Sequence, residues 1–370
     1  MSNSPVLNER LRQAFIQLIA KHTGIEIRER DKPALVEKIL LRMKAIKLAS
    51  PEAYYQLLNF SSPDSRQEWE KLVILLTNIE SYFFRDTEQF TLLRDRILPE
   101  LIERKRNTKT IRLCSAGCSS GEEPYSLAIL LKELLPDLEQ WNLLVLGIDI
   151  NQDALQKAKS GIYRPWSFRR VNLEMVQRYF RLANNQYHID SSIKQMVTFH
   201  NLNLVQQFSP QSKPELGKLD LIVCRNVFIY FESAGIALVL KKFYEALNPL
   251  GYLITGHSEL YGQNLSQFQT KVFPESVVYQ RPSDNLIGKT TVGIPSELNP
   301  ISLDNFTGDF NNGDLVTALE ESNIKMQHVA LNLLKQLPPD TQLPKMGNLT
   351  AAELVSQLET ALKTMNQEPT

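Results

Sequence analysis

The chain has 370 residues, is 43% hydrophobic, and balances 41 Lys+Arg against 41 Asp+Glu. A formal net charge of zero excludes recognition of nucleic acid or a membrane surface by bulk charge. No apolar run approaches the ~20 residues of a membrane span, and three cysteines, an odd number, argue against a disulfide framework.

At ~150 residues per domain the length allows two or three domains. The polar N-terminus, MSNSPVLNERLRQ, lacks the apolar core of a signal peptide, so a cytoplasmic protein is expected. Helical periodicity runs over residues 6–20 through Leu7, Leu11, Phe15 and Leu18, and Thr23-Gly24 ends it. A second helix is expected over Pro33–Ile46, with Lys38, Arg42, Lys44 and Lys47 on or near its outer face. That face reads either as a solvated surface or as a basic docking surface for an acidic partner. Further helices fit Pro51–Leu58 and Ser65–Leu76, so residues 1–85 read as an all-helical domain. Tyr82, Phe83 and Phe84 stand in a row and are expected to fold onto a pocket, with Arg85 held beside them. A helix from Thr87 to Arg106 follows.

The rest of the chain is organised around Ile111–Leu131, which reads as a buried strand, a small-residue turn and a helix opening at Glu122-Glu123-Pro124. Such a unit presents backbone N–H groups to a nucleotide-like ligand. The turn is Gly117-x-x-x-Gly121 and lacks both G-x-G-x-x-G and a P-loop lysine, and Glu122 and Glu123 would repel a phosphate. A neutral or cationic ligand with hydroxyls and an amine fits better, and S-adenosylmethionine is one. An ordinary strand-to-helix turn is the plain alternative. Leu143–Ile150 reads as a second buried strand carrying Asp149, placed to accept hydrogen bonds from ribose hydroxyls.

Residues 162–200 are rich in arginine and aromatics, turn at Asn184-Asn185, end in a strand at Met196–His200, and read as a small inserted lobe. No nucleic-acid motif accompanies that composition. Another strand, Leu219–Cys224, leads to Arg225, Asn226 and Tyr230, where ligands of open α/β sheets bind. A helix over Ser233–Leu247 and strands at Gly251–Thr255 and Val277–Gln280 complete the expected sheet, and His257 and Ser258 are expected to close a loop over the site. The cysteines read as small buried hydrophobes, and no metal site is expected. Beyond Pro282 lie 5 of the 41 basic residues but 11 of the 41 acidic ones. Residues 283–314 read as a linker. Residues 315–370 read as a helical tail with helices near Leu315–Leu337 and Thr350–Met365, the latter opened by a Thr350-x-x-Glu353 capping box.

Six stretches taken together resemble the CheR-type chemotaxis protein-glutamate O-methyltransferases. They are ESYFFRD (80–86), SAGCSSGEEPYSLA (115–128), GIDI…ALQKAKSGIY (147–163), Asn203-Leu204, LDLIVCRNVFIYF (219–231) and LNPLGYLITGHSE (247–259). The resemblance implies an all-α N-terminal domain, then a class I (Rossmann-like) α/β S-adenosylmethionine-dependent methyltransferase domain over 86–282 with a β-rich insertion at 162–200; the partly disordered helical tail after it is read from composition alone. It implies methylation of glutamates on methyl-accepting chemotaxis receptors. The tail has no counterpart in the family pattern and is a candidate docking segment for another signalling protein. Carried over by motif, the cofactor contacts fall on Ser81, Arg85, Glu122 or Glu123, Asp149, Asn203, Leu204, Asn226 and Val227, and Asn78, Gly117 and Arg225 are expected to bind the cofactor as well. Of the two expected catalytic residues, Arg85 with the aromatic wall is assigned to ligand orientation and Tyr230 to the methyl-transfer end. Ser81 stands where the family usually has threonine, and Asp149-Ile150-Asn151 where it often has Asp-Ile-Asp.

Overall fold

Uninterrupted apolar runs become the central strands of one sheet, because a strand covered on both faces needs apolar residues at every position. The computed structural model describes residues 7–284 together with 342–343, 349–350, 352–353 and 355–356. Strands β1 (Thr110–Ala116) and β2 (Asn142–Asp149) lie parallel, joined by helix α7 (Glu122–Leu134). The preceding helices are α1 (Glu9–Thr23), α2 (Lys32–Ala45), α3 (Pro51–Asn59), α4 (Pro63–Leu76), α5 (Thr87–Leu92) and α6 (Leu98–Arg104). Between α5 and α6 the helix widens into a π turn at Leu93–Ile97, just before Pro99, which has no N–H to donate one turn back.

After β2 come α8 (Gln152–Ser160), β3 (Ile162–Tyr163), α9 (Leu173–Tyr179), β4 (Phe180–Ala183), β5 (Gln186–Ile189) and α10 (Ser191–Lys194). Then follow β6 (Val197–Asn201), β7 (Leu219–Cys224), α11 (Ser233–Ala246), β8 (Leu247–Thr255), β9 (Gln269–Val272) and β10 (Val277–Gln280). The main sheet runs β6-β2-β1-β7-β8-β10-β9, and β3, β5 and β4 form a separate three-stranded sheet. The chain leaves β1 toward β2 and returns on its other side as β7, so a crevice opens at the carboxyl ends of β1 and β7.

Two sequence expectations change here. The strand anticipated at Met196–His200 pairs in parallel with β2 and belongs to the main sheet, so the lobe's own sheet is only β3, β4 and β5. Val277–Gln280 does not close the sheet. It pairs antiparallel to β8 and is itself flanked by β9, a polar strand with little apolar signal.

Helices α1–α4 bury Phe15, Ile19, Leu35, Ile39, Tyr54 and Leu72 in a second core. Within it, Arg42 folds inward. Its Nε and Nη2 donate to the two Glu68 carboxylate oxygens, both at 2.8 Å, and the Tyr54 hydroxyl donates to the same carboxylate at 2.7 Å. Arg42 is therefore not part of an outward basic face, which retains Lys38, Lys44 and Lys47 beside the exposed Leu41. The sequence pattern could not show this, because the partner lies 26 residues away.

Cys114, Cys118 and Cys224 are free and buried, as small hydrophobes should be. Among the described residues no helix is long and apolar enough to cross a membrane. Of the tail, Gln342–Leu343 pairs antiparallel with Leu349–Thr350, and the capping box is present, with the Thr350 amide donating to Glu353 Oε2 at 2.8 Å. The helix expected near Leu315–Leu337, most of that at Thr350–Met365, and the linker from residue 285 lie outside the described residues.

Replacing Arg42 by alanine leaves the Glu68 carboxylate buried without its cation, a change that costs on the order of 3 kcal/mol. Urea denaturation of Arg42→Ala should show a loss of that size. A loss under ~0.5 kcal/mol would mean that water reaches Glu68 and the pair contributes nothing.

Candidate functional site

A cleft open to solvent lies at the carboxyl ends of β1, β2 and β7. Its floor is the turn after β1. The Gly117 and Cys118 amides both donate to Ile148 O, at 2.8 and 3.0 Å, which folds the turn back onto the end of β2. Gly117 has φ +75°, and a Cβ there would sit 2.3 Å from Val227 Cγ2, so only glycine fits between the β1 and β7 loops. Asp149 faces this turn. Its Oδ2 accepts from the Ser119 amide at 2.8 Å and its Oδ1 from the Asn151 amide at 2.7 Å. Burial pushes its carboxyl above the usual range, and these amides pull partly against that.

The two glutamates at the start of α7 take different directions, since neighbours on a helix do not share a face. Glu123 lines the cleft. Its Oε1 accepts from Ser115 Oγ at 2.7 Å and its Oε2 from Arg225 Nε at 2.9 Å. Glu122 is buried and does not line the cleft. It accepts from Ser120 Oγ at 2.8 Å and Ser167 Oγ at 3.2 Å, with the Ser81 hydroxyl also bonded to it, and burial raises its pKa. Glu122 thus ties together the glycine turn, the inserted lobe and the segment before α5.

Arg225 is buried as well. Its Nη1 donates to Gln89 Oε1 at 3.1 Å and its Nη2 to Arg85 O at 2.6 Å, while its guanidinium carbon lies 5.1 Å from the Phe90 ring centre. Gln89 in turn donates to Thr255 O at 2.8 Å and Ser276 Oγ at 2.9 Å. Arg225, expected among the cofactor-binding residues, lines the cleft, and its guanidinium also holds the Glu123 carboxylate.

Residues 77–86 form a strap over the cleft. Asn151 Nδ2 donates to Thr77 Oγ1 at 2.8 Å, Ser119 Oγ to Ile79 O at 2.9 Å, and the Phe84 amide to Ser126 Oγ at 3.1 Å. Of the three consecutive aromatics only Tyr82 lines the cleft. Phe83 packs in the lobe's aromatic cluster, stacked on Phe168 at 5.0 Å, and Phe84 meets Phe90 edge-on at 5.2 Å. Ser81 and Arg85 line the cleft, and Arg85 Nη1 lies 3.4 Å from Glu80 O. At the mouth, Asn78 Nδ2 is 3.5 Å from the hydroxyl of Tyr230, which is 41% exposed and so within reach of a second molecule.

The far rim is made by residues 202–204. Asn203 lines the cleft, but its side chain is engaged elsewhere: Nδ2 donates to His22 O at 2.7 Å and Oδ1 accepts from the Val205 amide at 2.9 Å. Leu202, Leu204 and Ile150 leave this rim apolar. Lys242 donates to Leu204 O and Val205 O, and burial lowers its pKa. Asn226, at φ +58°, and Val227 close the opposite side.

His257 and Ser258 do not line the cleft. The residue that matters beside them is Glu259. Its Oε2 accepts from the Gly256 amide at 2.6 Å, and the Asn226, Val227 and Ile229 amides face the same carboxylate, which burial nevertheless raises above its usual range. Glu259 and Gln89 were missed by sequence reasoning. The available signal was a polar residue on the inner face of an otherwise amphipathic helix for Gln89, and an acidic residue just past a strand-end glycine for Glu259.

Residues 79–276 match the family described as CheR methyltransferase, SAM binding domain. The chain is 35% identical over 274 residues to chemotaxis protein methyltransferase 2 of Vibrio cholerae, covering 74% of this chain and 92% of that protein. It is 34% identical over 255 residues to the chemotaxis protein methyltransferase of Borreliella burgdorferi (66% and 86% covered), and 31% identical over 249 residues to that of Escherichia coli (66% and 82% covered).

Asp149 can accept ligand hydroxyls fully only as the anion, so acid should weaken S-adenosylmethionine binding. Because its pKa is raised, the loss should begin above the ~3.9 of an ordinary aspartate and approach tenfold per pH unit once below it. Titration calorimetry between neutral and mildly acidic pH checks this. Asp149→Ala should bind more weakly by ~1.5–3 kcal/mol and lack this part of the pH dependence. An unchanged affinity would remove Asp149 from the binding set.

Proposed function

The chain belongs to the CheR methyltransferase family and is an S-adenosylmethionine-dependent methyltransferase of the chemotaxis type, and from that premise we propose that its acceptors are glutamate side-chain carboxylates of methyl-accepting chemotaxis receptors. One observation carries the reading. The cleft mouth offers Arg85, Tyr230 and Asn78; its carboxylates Glu80, Glu123 and Asp149 are engaged by Arg169, Arg225 and backbone amides, and among the described residues no histidine lines the cleft. An acceptor that had to lose a proton would need a base there. A glutamate with pKa ~4.3 is already the anion at neutral pH and needs only to be positioned.

The donor set suits the cofactor. Asp149 takes the ribose hydroxyls, and the Glu123 carboxylate takes the ammonium group. Leu202, Leu204 and Ile150 pack the adenine ring, while Asn203 holds that rim in shape. Gly117 and Val227 let the backbone approach closely, and Asn226, Ser81 and Asn78 supply polar contacts along the open side. Arg225 and Glu122 act by holding Glu123 and the strap. When bound, S-adenosylmethionine supplies a methyl group on a cationic sulfur. Arg85 and Tyr230 orient the incoming carboxylate toward it, and the strap with Tyr82 excludes water from the line of transfer. Orientation of this kind can supply on the order of 7 kcal/mol. Arg85 must steer the carboxylate without neutralising it, which its position beside Glu80 O and 5.6 Å from the Tyr82 ring centre favours.

The inserted lobe and the outward lysines Lys38, Lys44 and Lys47 are the surfaces available to a receptor. The charge supports an acidic partner at the lysines, and exposed Trp166, Leu173 and Leu182 support a protein contact at the lobe. The place of action is the cytoplasm, and the tail beyond Pro282 engages another signalling protein.

Incubation with methyl-labelled S-adenosylmethionine and receptor-enriched membranes should place label on receptor glutamates as an ester released by mild base. Label resistant to base, or no transfer despite measured cofactor binding, would overturn the assignment.

A further inference from the structure

An arginine of the inserted lobe stands against two residues of the cleft mouth, Glu80 and Tyr82, and its carboxylate partner is exposed and displaceable. The Arg169 guanidinium carbon lies 3.6 Å from the centre of the Tyr82 ring and 4.5 Å from that of Trp166. Its Nη1 donates to Trp166 O at 3.0 Å. Two rings and a carbonyl therefore fix the cation, and its side chain is only 20% exposed. Among the described residues its one carboxylate partner is Glu80, reached by Nη2 at 3.2 Å. Glu80 lines the cleft mouth and is 60% exposed. An ion pair with one such exposed arm is weak. The cation is pre-organised by stacking, and the anion is the loose component.

We propose that Arg169 reads a carboxylate on the acceptor protein, and that Glu80 is an internal stand-in for it, holding the guanidinium until an acidic segment of the acceptor takes its place. This deepens the functional reading above and rests on it: a segment carrying glutamates for methylation brings carboxylates to this mouth. Tyr82, on which Arg169 stacks, belongs to the strap over the cleft. Trp166, 68% exposed, gives the arriving segment an apolar surface beside the charge.

A mere staple between lobe and strap makes the opposite prediction for Glu80, and this decides the test. Initial rates are measured on the full chain with a purified cytoplasmic receptor fragment, together with S-adenosylmethionine affinity by calorimetry. Glu80→Gln should lower the KM for the fragment about two- to fivefold, because the competitor is gone. Arg169→Ala should raise it about tenfold or more. The double variant should match Arg169→Ala, since without the cation the competitor no longer counts. Cofactor affinity should stay within about twofold in all three, which also shows that they fold. An unchanged or raised KM in Glu80→Gln overturns the stand-in. A fall in KM that persists in the double variant overturns the role of Arg169. If the wild-type protein forms no base-labile ester, the functional reading falls and takes this proposal with it; if it does and Glu80→Gln behaves as wild type, only this proposal falls.

Discussion

Arg225 and Glu123 form an ion pair beneath the cleft, and most of the site hangs from it. Removing two charges from water costs several kcal/mol per ion unless good geometry and further hydrogen bonds compensate. Here they do. Glu123 sits in the first turn of α7, where the helix dipole favours a carboxylate, and it also accepts from Ser115. Arg225 donates further to Gln89 and to the Arg85 carbonyl. The pair thereby joins four pieces that are distant in sequence: the end of β1, the start of α7, the end of β7 and the strap before α5. It fixes the Glu123 carboxylate in one cleft wall, where an amine-bearing ligand can use it.

Around that anchor, carboxylates divide the work by burial. Glu122 and Glu259 are enclosed and act on the protein's own backbone and hydroxyls, the first holding strap and lobe to the glycine turn, the second holding the loop after β7. Asp149 and Glu123 face the cleft. Four acidic side chains in one neighbourhood would make a poor phosphate site. They make a good site for a ligand with hydroxyls and an ammonium group, and the family match to a SAM binding domain agrees with that chemistry.

The sheet and the position of the cleft could be read from the sequence because both follow from local signals. Buried parallel strands are continuous apolar runs, and the Gly117–Gly121 turn precedes a proline-primed helix. What could not be read depends on partners far along the chain. Arg42 looked like part of a basic face until Glu68 appeared beside it. Asn203 and Arg225 both line the cleft, and what the motifs could not show is that their side chains also bond to His22 O and Glu123. Adjacent Glu122 and Glu123 could not be told apart, since a one-residue step turns a helical side chain by about 100°, and only the packed serines decide which is enclosed. Strand β9 escaped notice because its residues, Gln269–Val272, are polar and lie at the sheet edge.

The central claim is that the buried Arg225–Glu123 pair shapes the cofactor site. Its most direct test is the S-adenosylmethionine affinity of Arg225→Met, which keeps the side-chain length and removes the charge and its hydrogen bonds. The account predicts a folded protein with a lowered thermal midpoint and cofactor affinity weakened by about thirtyfold or more, about 2 kcal/mol, as Glu123 and the Arg85 carbonyl lose their common partner. Wild-type affinity in that folded variant would contradict it.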